Sequence, residues 1–218
     1  MRRLGKYLSN AIIFDFDGTL VDSEKTIYQC FNNVTNYIAP ERIDFVKNIL
    51  IGPPLRDTAS KILGPNHQGQ LDEFVNLFIE MHDENAIKNT NPFPDVIETL
   101  KKLNTKKVLM AIATNKRQAP TIRLINYLGW QDYFIAIECS DNKTSIRNKD
   151  KMIQDILNNN NNFTKAFFIG DTVNDGLSAN LNEMPFIKAQ YGYGRDQDWS
   201  KVNVKLGIQK FSEILQLI

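Results

Sequence analysis

The spacing of apolar positions changes along the chain and divides it into two kinds of region. Residues 11–14 form a short β-branched and aromatic run, Ala-Ile-Ile-Phe, which predicts a buried strand. From residue 22 to residue 90 the apolar positions recur every three or four residues, which predicts a run of helices without strands. The expected helices carry the apolar residues of 27–38, 43–50, 59–63 and 71–79.

From residue 96 onward, helical and strand-like patterns alternate. This alternation is typical of an α/β fold with a doubly wound, Rossmann-like parallel sheet. The strand over 11–14 belongs to the same sheet, so we expect a core of residues 1–21 and 92–218 and a small inserted α-helical domain over 22–91. The predicted strands are 107–114, 133–138, 165–171 and, as the last strand, 185–189; the predicted helices are 96–103, 121–128, 152–157, 177–181 and 211–218.

Composition and charge exclude several classes of protein. The 218 residues carry a net charge of +1, and 42% are hydrophobic, as in ordinary soluble globular proteins. The sequence lacks the basic stripe that is typical of nucleic-acid-binding proteins, and it has no apolar run long enough to span a membrane. The N-terminus has no signal-peptide pattern, and the distant Cys30 and Cys139 are expected to be reduced thiols. We therefore expect a cytoplasmic protein, either a monomer or a weak homodimer, whose partner is a small molecule.

Polar side chains follow three of the predicted strands, where ligands bind in open α/β sheets. Two carboxylates about 4 Å apart repel each other by roughly 4 kcal/mol at an effective dielectric near 20, so a cluster of them requires a cation. Oxygen ligands without histidine or thiol favour Mg²⁺. An aspartate after a strand can also be only a helix N-cap, which is the competing interpretation for the last pair. The side chains at the three strand ends are Asp15 and Asp17, Thr114 and Asn115, and Asp171 and Asp175.

Several motifs resemble those of one known family. "DFDGTLVDS" (15–23), "TN" (114–115) and "GDTVND" (170–175) are similar to the first, second and fourth motifs of the haloacid dehalogenase (HAD) superfamily. "IGPPL" (51–55) and "YGYG" (191–194) resemble segments of its phosphoglycolate-phosphatase-like subgroup. The predicted helical insertion lies where that family has its helical cap domain. Asn182-Glu183 and "PDV" (94–96) depart from the usual pattern and bear on the subfamily rather than on activity.

The resemblance implies a role for each motif residue. Asp15 is expected to be the nucleophile that forms an aspartyl-phosphate, and Asp17 the acid and base that serves the leaving group and then water. Thr114 and Asn115 are expected to bind the phosphoryl group and the substrate, with backbone N–H groups near Gly18. The motif lysine is Lys149 or Lys151; the spacing K-x-x-x-I-x-x-x-L favours Lys149.

The same resemblance implies a Mg²⁺ site. Asp15 and Asp171 are expected to ligate the metal directly, together with the backbone carbonyl of Asp17. Asp175 is expected to act through a water molecule or by orienting a ligand. All four residues are therefore predicted to belong to the metal site.

Asp17 favours one reaction class within the superfamily. Dehalogenases lack this second aspartate, so its presence favours phosphoryl transfer. The expected activity is hydrolysis of a small phosphomonoester; a sugar-phosphate mutase of the β-phosphoglucomutase type and a non-catalytic binding protein with the same fold remain alternatives. Arg56, after "IGPPL", is the candidate reader of a carboxylate or second phosphate, although it can equally be a solvated arginine at a helix start.

The substrate is less well determined than the reaction. The sequence of the cap predicts a small and polar site, which leaves glycolate, sugar and nucleotide phosphates open. His82 continues the apolar stripe of its helix and is expected to be a packing or surface residue rather than a catalyst.

Overall fold

A central strand carries the N-terminal end of the described chain into a six-stranded parallel sheet. The computed structural model describes residues 10–85, 87, 89–141, 147–163 and 165–218. The strands are β1 (Ala11–Phe14), β2 (Val21–Asp22), β3 (Asn91–Pro92), β4 (Leu109–Thr114), β5 (Ala136–Cys139), β6 (Ala166–Gly170), β7 (Phe186–Ala189) and β8 (Val204–Ile208). The order in the sheet is β5-β4-β1-β6-β7-β8, which confirms the predicted α/β fold.

Eight α-helices and four 3₁₀ segments connect these strands in the described part of the chain. The helices are α1 (Glu24–Ile38), α2 (Ile43–Val46), α3 (Leu55–Leu63), α4 (Leu71–Asn85), α5 (Val96–Thr105), α6 (Gln118–Tyr127), α7 (Lys149–Asn159) and α8 (Val173–Leu181). The 3₁₀ segments are Pro40–Arg42, Pro65–Gln70, Tyr193–Asp196 and Phe211–Gln216. None of the helices in these described residues is both long enough and apolar enough to cross a membrane.

Both faces of the sheet are covered by helices, and the side chains of β1 point alternately to one face and the other. Ile12 and Phe14 pack into a cluster with α5, α6 and the C-terminal 3₁₀ segment. Ala11 and Ile13 point to the opposite cluster, which contains apolar side chains of α7 and α8. Helices on both faces of a parallel sheet are the expected arrangement for near-continuous apolar strands.

The helices between β2 and β3 have an apolar cluster of their own. Side chains of α1, α3 and α4 form it, including Phe31, Ile62 and Phe74. The chain leaves for this insert through β2 and returns through β3, and these two short strands pair antiparallel with Val21 opposite Pro92. The predicted domain boundaries lie in this ribbon, and the division into two domains stays a prediction.

Three details of the predicted elements were wrong. Residues 185–189 are not the last strand, because the edge strand β8 follows them. In β8 the apolar residues Val204, Leu206 and Ile208 alternate with Lys205 and Gly207, so the strand lacks the continuous apolar run of the central strands. Residues 211–218 do not form an α-helix; the buried Phe211 and Ile214 have the three-residue spacing of the 3₁₀ segment.

The helix expected over 43–50 is also shorter than its pattern suggested. The α-helix α2 ends at Val46, and the amide of Ile49 bonds to the carbonyl of Val46 in a tighter turn. The chain then enters the Gly-Pro-Pro segment at 52–54, which cannot continue a helix.

Candidate active site

The carboxyl ends of β1, β4 and β6 meet at the centre of one sheet edge. From β1 the sheet extends through β4 and β5 in one direction and through β6, β7 and β8 in the other, so the strand order reverses beside β1. The amide of Asp15 donates to the carbonyl of Ile169 at 2.8 Å, which continues the pairing of β1 with β6. Such a reversal opens a crevice where ligands bind in α/β sheets.

Lys149 lies between two carboxylates in this crevice. It is the first residue of α7 and is buried, and its Nζ donates to Oδ1 of Asp15 at 2.7 Å and to Oδ1 of Asp175. Burial lowers the pKa of Lys149, but the two carboxylates outweigh that effect and raise it above its usual value. The group is therefore a permanent cation. Lys151, the alternative motif lysine, is exposed and contacts Gln154 instead.

Asp15 has a carboxyl group in an unusual electrostatic setting. Burial and the nearby Asp175 raise its pKa to about 7, although the ammonium group of Lys149 acts in the opposite direction. Without further positive charge, the anionic form that a nucleophile needs is disfavoured.

Asp171 is completely buried after β6. Its Oδ2 accepts the amide of Tyr193 at 2.7 Å, and its Oδ1 accepts the hydroxyl of Thr19 at 3.3 Å. Burial, followed by the charges of Asp175 and Asp15, raises the pKa of Asp171 well above its usual value. The donors around the carboxylate do not offset its desolvation.

Two glycines allow the backbone to approach Asp171. Gly18 has φ = +87°, and a Cβ there would overlap the Asp171 carboxylate. A Cβ at Gly192 would overlap the Cβ of the same aspartate. The "DGT" and "YGYG" segments thus surround one side chain, which explains why both need glycine.

Asp175 stabilises the start of α8 as well as facing Lys149. Thr172 is the N-cap residue, and Oδ2 of Asp175 accepts the Thr172 amide at 2.8 Å, its hydroxyl at 2.7 Å and the Asp171 amide at 3.1 Å. This reciprocal arrangement is a capping box. The N-cap residue is thus Thr172 rather than either aspartate, and Asp175 is its N3 partner in the box while its other carboxylate oxygen faces Lys149.

Three of the predicted metal ligands converge. Asp15, Asp171 and Asp175 are buried, and each offers a carboxylate oxygen within 4.8 Å of the others. An all-oxygen set suits Mg²⁺, and a divalent cation would offset the repulsion that raises the pKa of Asp15 and Asp171. The residues present therefore fit the ion. The side chain of Asp17 does not belong to this group, and the expected metal contact of Asp17 through its backbone carbonyl stays a prediction.

The side chain of Asp17 is held by two other groups. Its Oδ1 accepts the hydroxyl of Ser23 at 2.6 Å, and Nζ of Lys116 lies 3.1 Å from its Oδ2. The hydroxyl of Tyr193 accepts the amide of Ser23 at 2.7 Å and lies beside this pair. Asp17 and Asp15 both line the same cavity.

Of the remaining predicted site residues, Thr114 and Asn115 line the cavity and Arg56 does not. Thr114, buried at the end of β4, lines the cavity, and its Oγ1 accepts the amide of Lys116 at 3.2 Å. Asn115 lines it too, but its amide donates to the carbonyl of Gly52 at 2.8 Å and so connects β4 to the insert. Arg56 is half exposed and forms an ion pair with Asp72 at 2.7 Å; the structure does not bring it to the cavity.

The wall of the cavity that comes from the insert is mainly apolar. It is formed by α1, by residues 50–55 and by α4, and it includes Phe31 and Phe78, whose ring centroids are 4.4 Å apart. The expectation of a small polar site is therefore wrong for this wall. Helical spacing identifies apolar residues but does not show that some of them face a cavity rather than the cluster of the insert.

Three functional candidates were missed by the motifs. Lys116 directly follows "TN", and its contact with Asp17 was foreseeable only from that adjacency. His82 is buried in the cavity wall, stacks on Phe78 with centroids 5.6 Å apart, and lies 3.4 Å from Nζ of Lys116. Ser23 ends the quoted first motif but had no assigned role. Long-range side-chain pairs of this kind leave no periodic signal in the sequence.

Known proteins resemble this chain in both sequence and architecture. A family model described as haloacid dehalogenase-like hydrolase matches residues 12–189. A phosphoglycolate phosphatase from Agrobacterium fabrum is 28% identical over 194 residues, covering 85% of this chain and 82% of that protein. One from Psychrobacter arcticus is 26% identical over 218 residues, covering 95% and 94%.

A solved structure shows the same fold over almost the whole chain. A haloacid dehalogenase-like hydrolase from Streptococcus pneumoniae superposes with a TM-score of 0.80 at 25% identity, covering 95% of this chain and 97% of that one. The match of the family model to most of the chain agrees with the crevice that joins Asp15, Lys149 and Asp171. The chain belongs to the haloacid dehalogenase-like hydrolase family.

Proposed function

We propose that this haloacid dehalogenase-like phosphatase hydrolyses small phosphomonoesters with Mg²⁺ through an aspartyl-phosphate on Asp15. The observation that supports it best is the placement of Asp15, which lines a cavity beside Asp17 and contacts the buried cation of Lys149. Nucleophile, proton carrier and positive charge are thus side by side. The named phosphatases among the relatives support the same reaction class.

In the first step, a carboxylate oxygen of Asp15 attacks phosphorus while the bond from phosphorus to the ester oxygen breaks. Asp17 in its acid form donates a proton to that departing oxygen, which leaves as an alcohol. In the second step, Asp17 as the base takes a proton from water, and the resulting hydroxide attacks the phosphorus. Phosphate leaves, the carboxylate of Asp15 is restored, and Asp17 holds its proton again.

The remaining residues supply charge and position. Asp15 and Asp171 would hold Mg²⁺, and Asp175 would contribute through a water molecule or by orienting a ligand. The ion supplies positive charge to the phosphoryl oxygens when bound. Lys149 adds a second, fixed positive charge next to the nucleophile. The hydroxyl of Thr114 is available to the phosphoryl group from the β4 side. Such positioning and charge neutralisation are the main protein contributions to phosphoryl transfer.

Phosphate release from benzyl phosphate tests the proposal. We expect turnover with Mg²⁺, none above background after EDTA treatment, and loss of turnover in Asp15→Asn but not in Asp132→Asn, which removes an exposed carboxylate elsewhere. A rapidly quenched reaction should contain a phosphorylated peptide that includes Asp15. Metal-independent turnover, full activity of Asp15→Asn, or transfer of the phosphoryl group to another substrate hydroxyl would contradict the proposal.

A further inference from the structure

The cavity above Asp15 has two unlike parts, a polar floor and an apolar wall. The floor is formed by residues of the sheet edge, including Asp15, Asp17 and Thr114. The wall comes from the insert and presents Ile27, Phe31, Leu50, Ile51, Phe78 and Ile79. A phosphoryl group on the floor would direct the alcohol part of its ester toward this wall.

The cations on the cavity surface are already bound to carboxylates. In the described part of the chain these are Lys116, which contacts Asp17 at 3.1 Å, and Arg117, which contacts Asp83 at 3.3 Å and also Asp141. An anionic substituent on the alcohol would have to compete with these pairs or remain without a counter-ion against apolar side chains, which is costly.

The histidine in the wall does not supply the missing charge. His82 lines the cavity between Phe78 and Lys116. Burial and the neighbouring ammonium group lower the pKa of His82 to about 3, so the ring is neutral at pH 7. It stacks on Phe78 and extends the aromatic surface of Phe31 and Phe78 rather than interrupting it.

We infer that the ester hydrolysed here has an uncharged alcohol part with an apolar or aromatic surface, and that a carboxylate-bearing alcohol such as glycolate is a poor substrate. The inference rests on the proposed phosphatase reaction and adds the class of leaving group. Apolar side chains that face a reacting group commonly select by shape and desolvation. The wall therefore favours uncharged alcohols in two ways: it offers them apolar contact, and among the residues that the structure describes it offers an anionic alcohol no free cation.

A matched pair of substrates tests the inference. Benzyl phosphate and 4-(phosphonooxymethyl)benzoate have the same ring and the same ester linkage and differ only by a carboxylate remote from phosphorus. We expect kcat/KM for benzyl phosphate to be higher by about tenfold or more, the size typical of one unmet charge. 2-Phosphoglycolate, measured beside propyl phosphate, should show the same order.

A variant at the edge of the wall provides the converse test. Leu50 lines the cavity and is 43% exposed, so a longer polar side chain can be accommodated there. Leu50→Arg supplies an unpaired cation and should narrow the difference between the two benzyl esters about threefold or more. Leu50→Gln, similar in polarity but uncharged, should not.

Each outcome has a distinct meaning. Equal kcat/KM for the two benzyl esters, preference for the carboxylated one, or turnover of 2-phosphoglycolate above propyl phosphate overturns the inference and leaves the phosphatase proposal intact. An unchanged ratio in Leu50→Arg, with Leu50→Gln also unchanged and both variants folded, counts against the charge argument. No Mg²⁺-dependent hydrolysis of any of the four esters overturns the proposed function itself.

Discussion

The ammonium nitrogen of Lys149 lies 2.7 Å from Oδ1 of Asp15, although the two residues are 134 positions apart in the chain. Lys149 begins helix α7, and Asp15 directly follows the central strand β1. The same nitrogen also contacts Asp175 in the capping box of α8. One buried cation therefore joins the candidate nucleophile to the loop that positions the candidate metal site.

Replacing this lysine should impair both activity and stability. In Lys149→Met the carboxylates of Asp15 and Asp175 lose their shared cation, and we expect kcat to fall by about 10²–10³-fold. Leaving buried carboxylates unpaired should lower the free energy of unfolding by roughly 3–5 kcal/mol. Steady-state kinetics with benzyl phosphate and urea unfolding measure the two effects.

Lys151 provides the matched control for that experiment. It lies two positions along the same helix but is exposed, so Lys151→Met should change the unfolding free energy by less than about 0.5 kcal/mol. If Lys151→Met were the inactive variant and Lys149→Met the active one, the assignment of the motif lysine would be reversed.

The role of Asp17 can be separated from general damage by varying the leaving group. Asp17→Asn cannot protonate the departing oxygen, so turnover of benzyl phosphate should fall by about 10²–10⁴-fold. 4-Nitrophenyl phosphate has a leaving group that needs little protonation, and its first step should be affected much less. Single-turnover measurements of alcohol release compare the two directly. A loss of the same size with both esters would show that Asp17 does not act as the acid.

Gly18 should be required for the metal site rather than only for its turn. Gly18→Ala meets both a positive φ of +87° and the carboxylate of Asp171, so we expect a higher Mg²⁺ concentration for half-maximal activity and a loss of stability. Gly129→Ala is the control, because Gly129 also has a positive φ, +69°, but open space where the Cβ would lie. The control should lose about 1 kcal/mol of stability and retain its Mg²⁺ dependence. The same Mg²⁺ response in both variants would contradict the close-approach argument.

The buried His82 should make the fold sensitive to mild acid. Its pKa is about 3 in the folded protein, against an ordinary value near 6.5 in the unfolded chain. Between these values the unfolded chain binds a proton that the folded protein does not, so stability falls as pH decreases from about 6.5 toward 3. The charged groups that face the ring are Lys116, Asp17, Arg117 and Arg123, with Asp83 3.8 Å from Nδ1.

Comparing His82→Gln with the unmodified chain isolates this contribution. Between pH 7 and pH 4.5 the variant should lose about 1–3 kcal/mol less of its unfolding free energy, because glutamine does not titrate. Urea unfolding at a series of pH values gives the comparison. Parallel stability curves for the two proteins would show that His82 is not the source of acid sensitivity.

Local signals in the sequence were sufficient for the fold class and for the residues at the strand ends. The apolar run Ala-Ile-Ile-Phe placed Asp15 at the sheet edge, because the strand ends where the apolar run ends. Lys149 was favoured over Lys151 because its spacing to the following apolar residues resembles the family's pattern, and the structure places it beside Asp15. The strand ends were predicted from short-range periodicity, and the choice of lysine from the resemblance to the family.

Contacts that form only after the chain folds back on itself were not predictable in this way. Lys116 reaches Asp17 across 99 positions, and Tyr193 reaches Ser23 across 170. Arg56 was expected at the substrate because it follows "IGPPL", but Asp72 on α4 pairs with it. Charged residues pair with whichever partner the tertiary fold supplies, and sequence spacing carries no record of that choice.

The antiparallel pairing of Val21 with Pro92 has a consequence for how such proteins can diversify. Because the insert departs from and returns to one point, its length and composition can change without displacing the strands that carry Asp15 and Asp171. Under the proposed function, the sheet edge supplies the reacting groups and the insert contacts the leaving group. Exchanging the segment between Val21 and Pro92 for that of a relative should therefore transfer the relative's preference among phosphate esters. Asp15, Thr114, Lys149 and Asp171 lie outside this segment and would be unaltered.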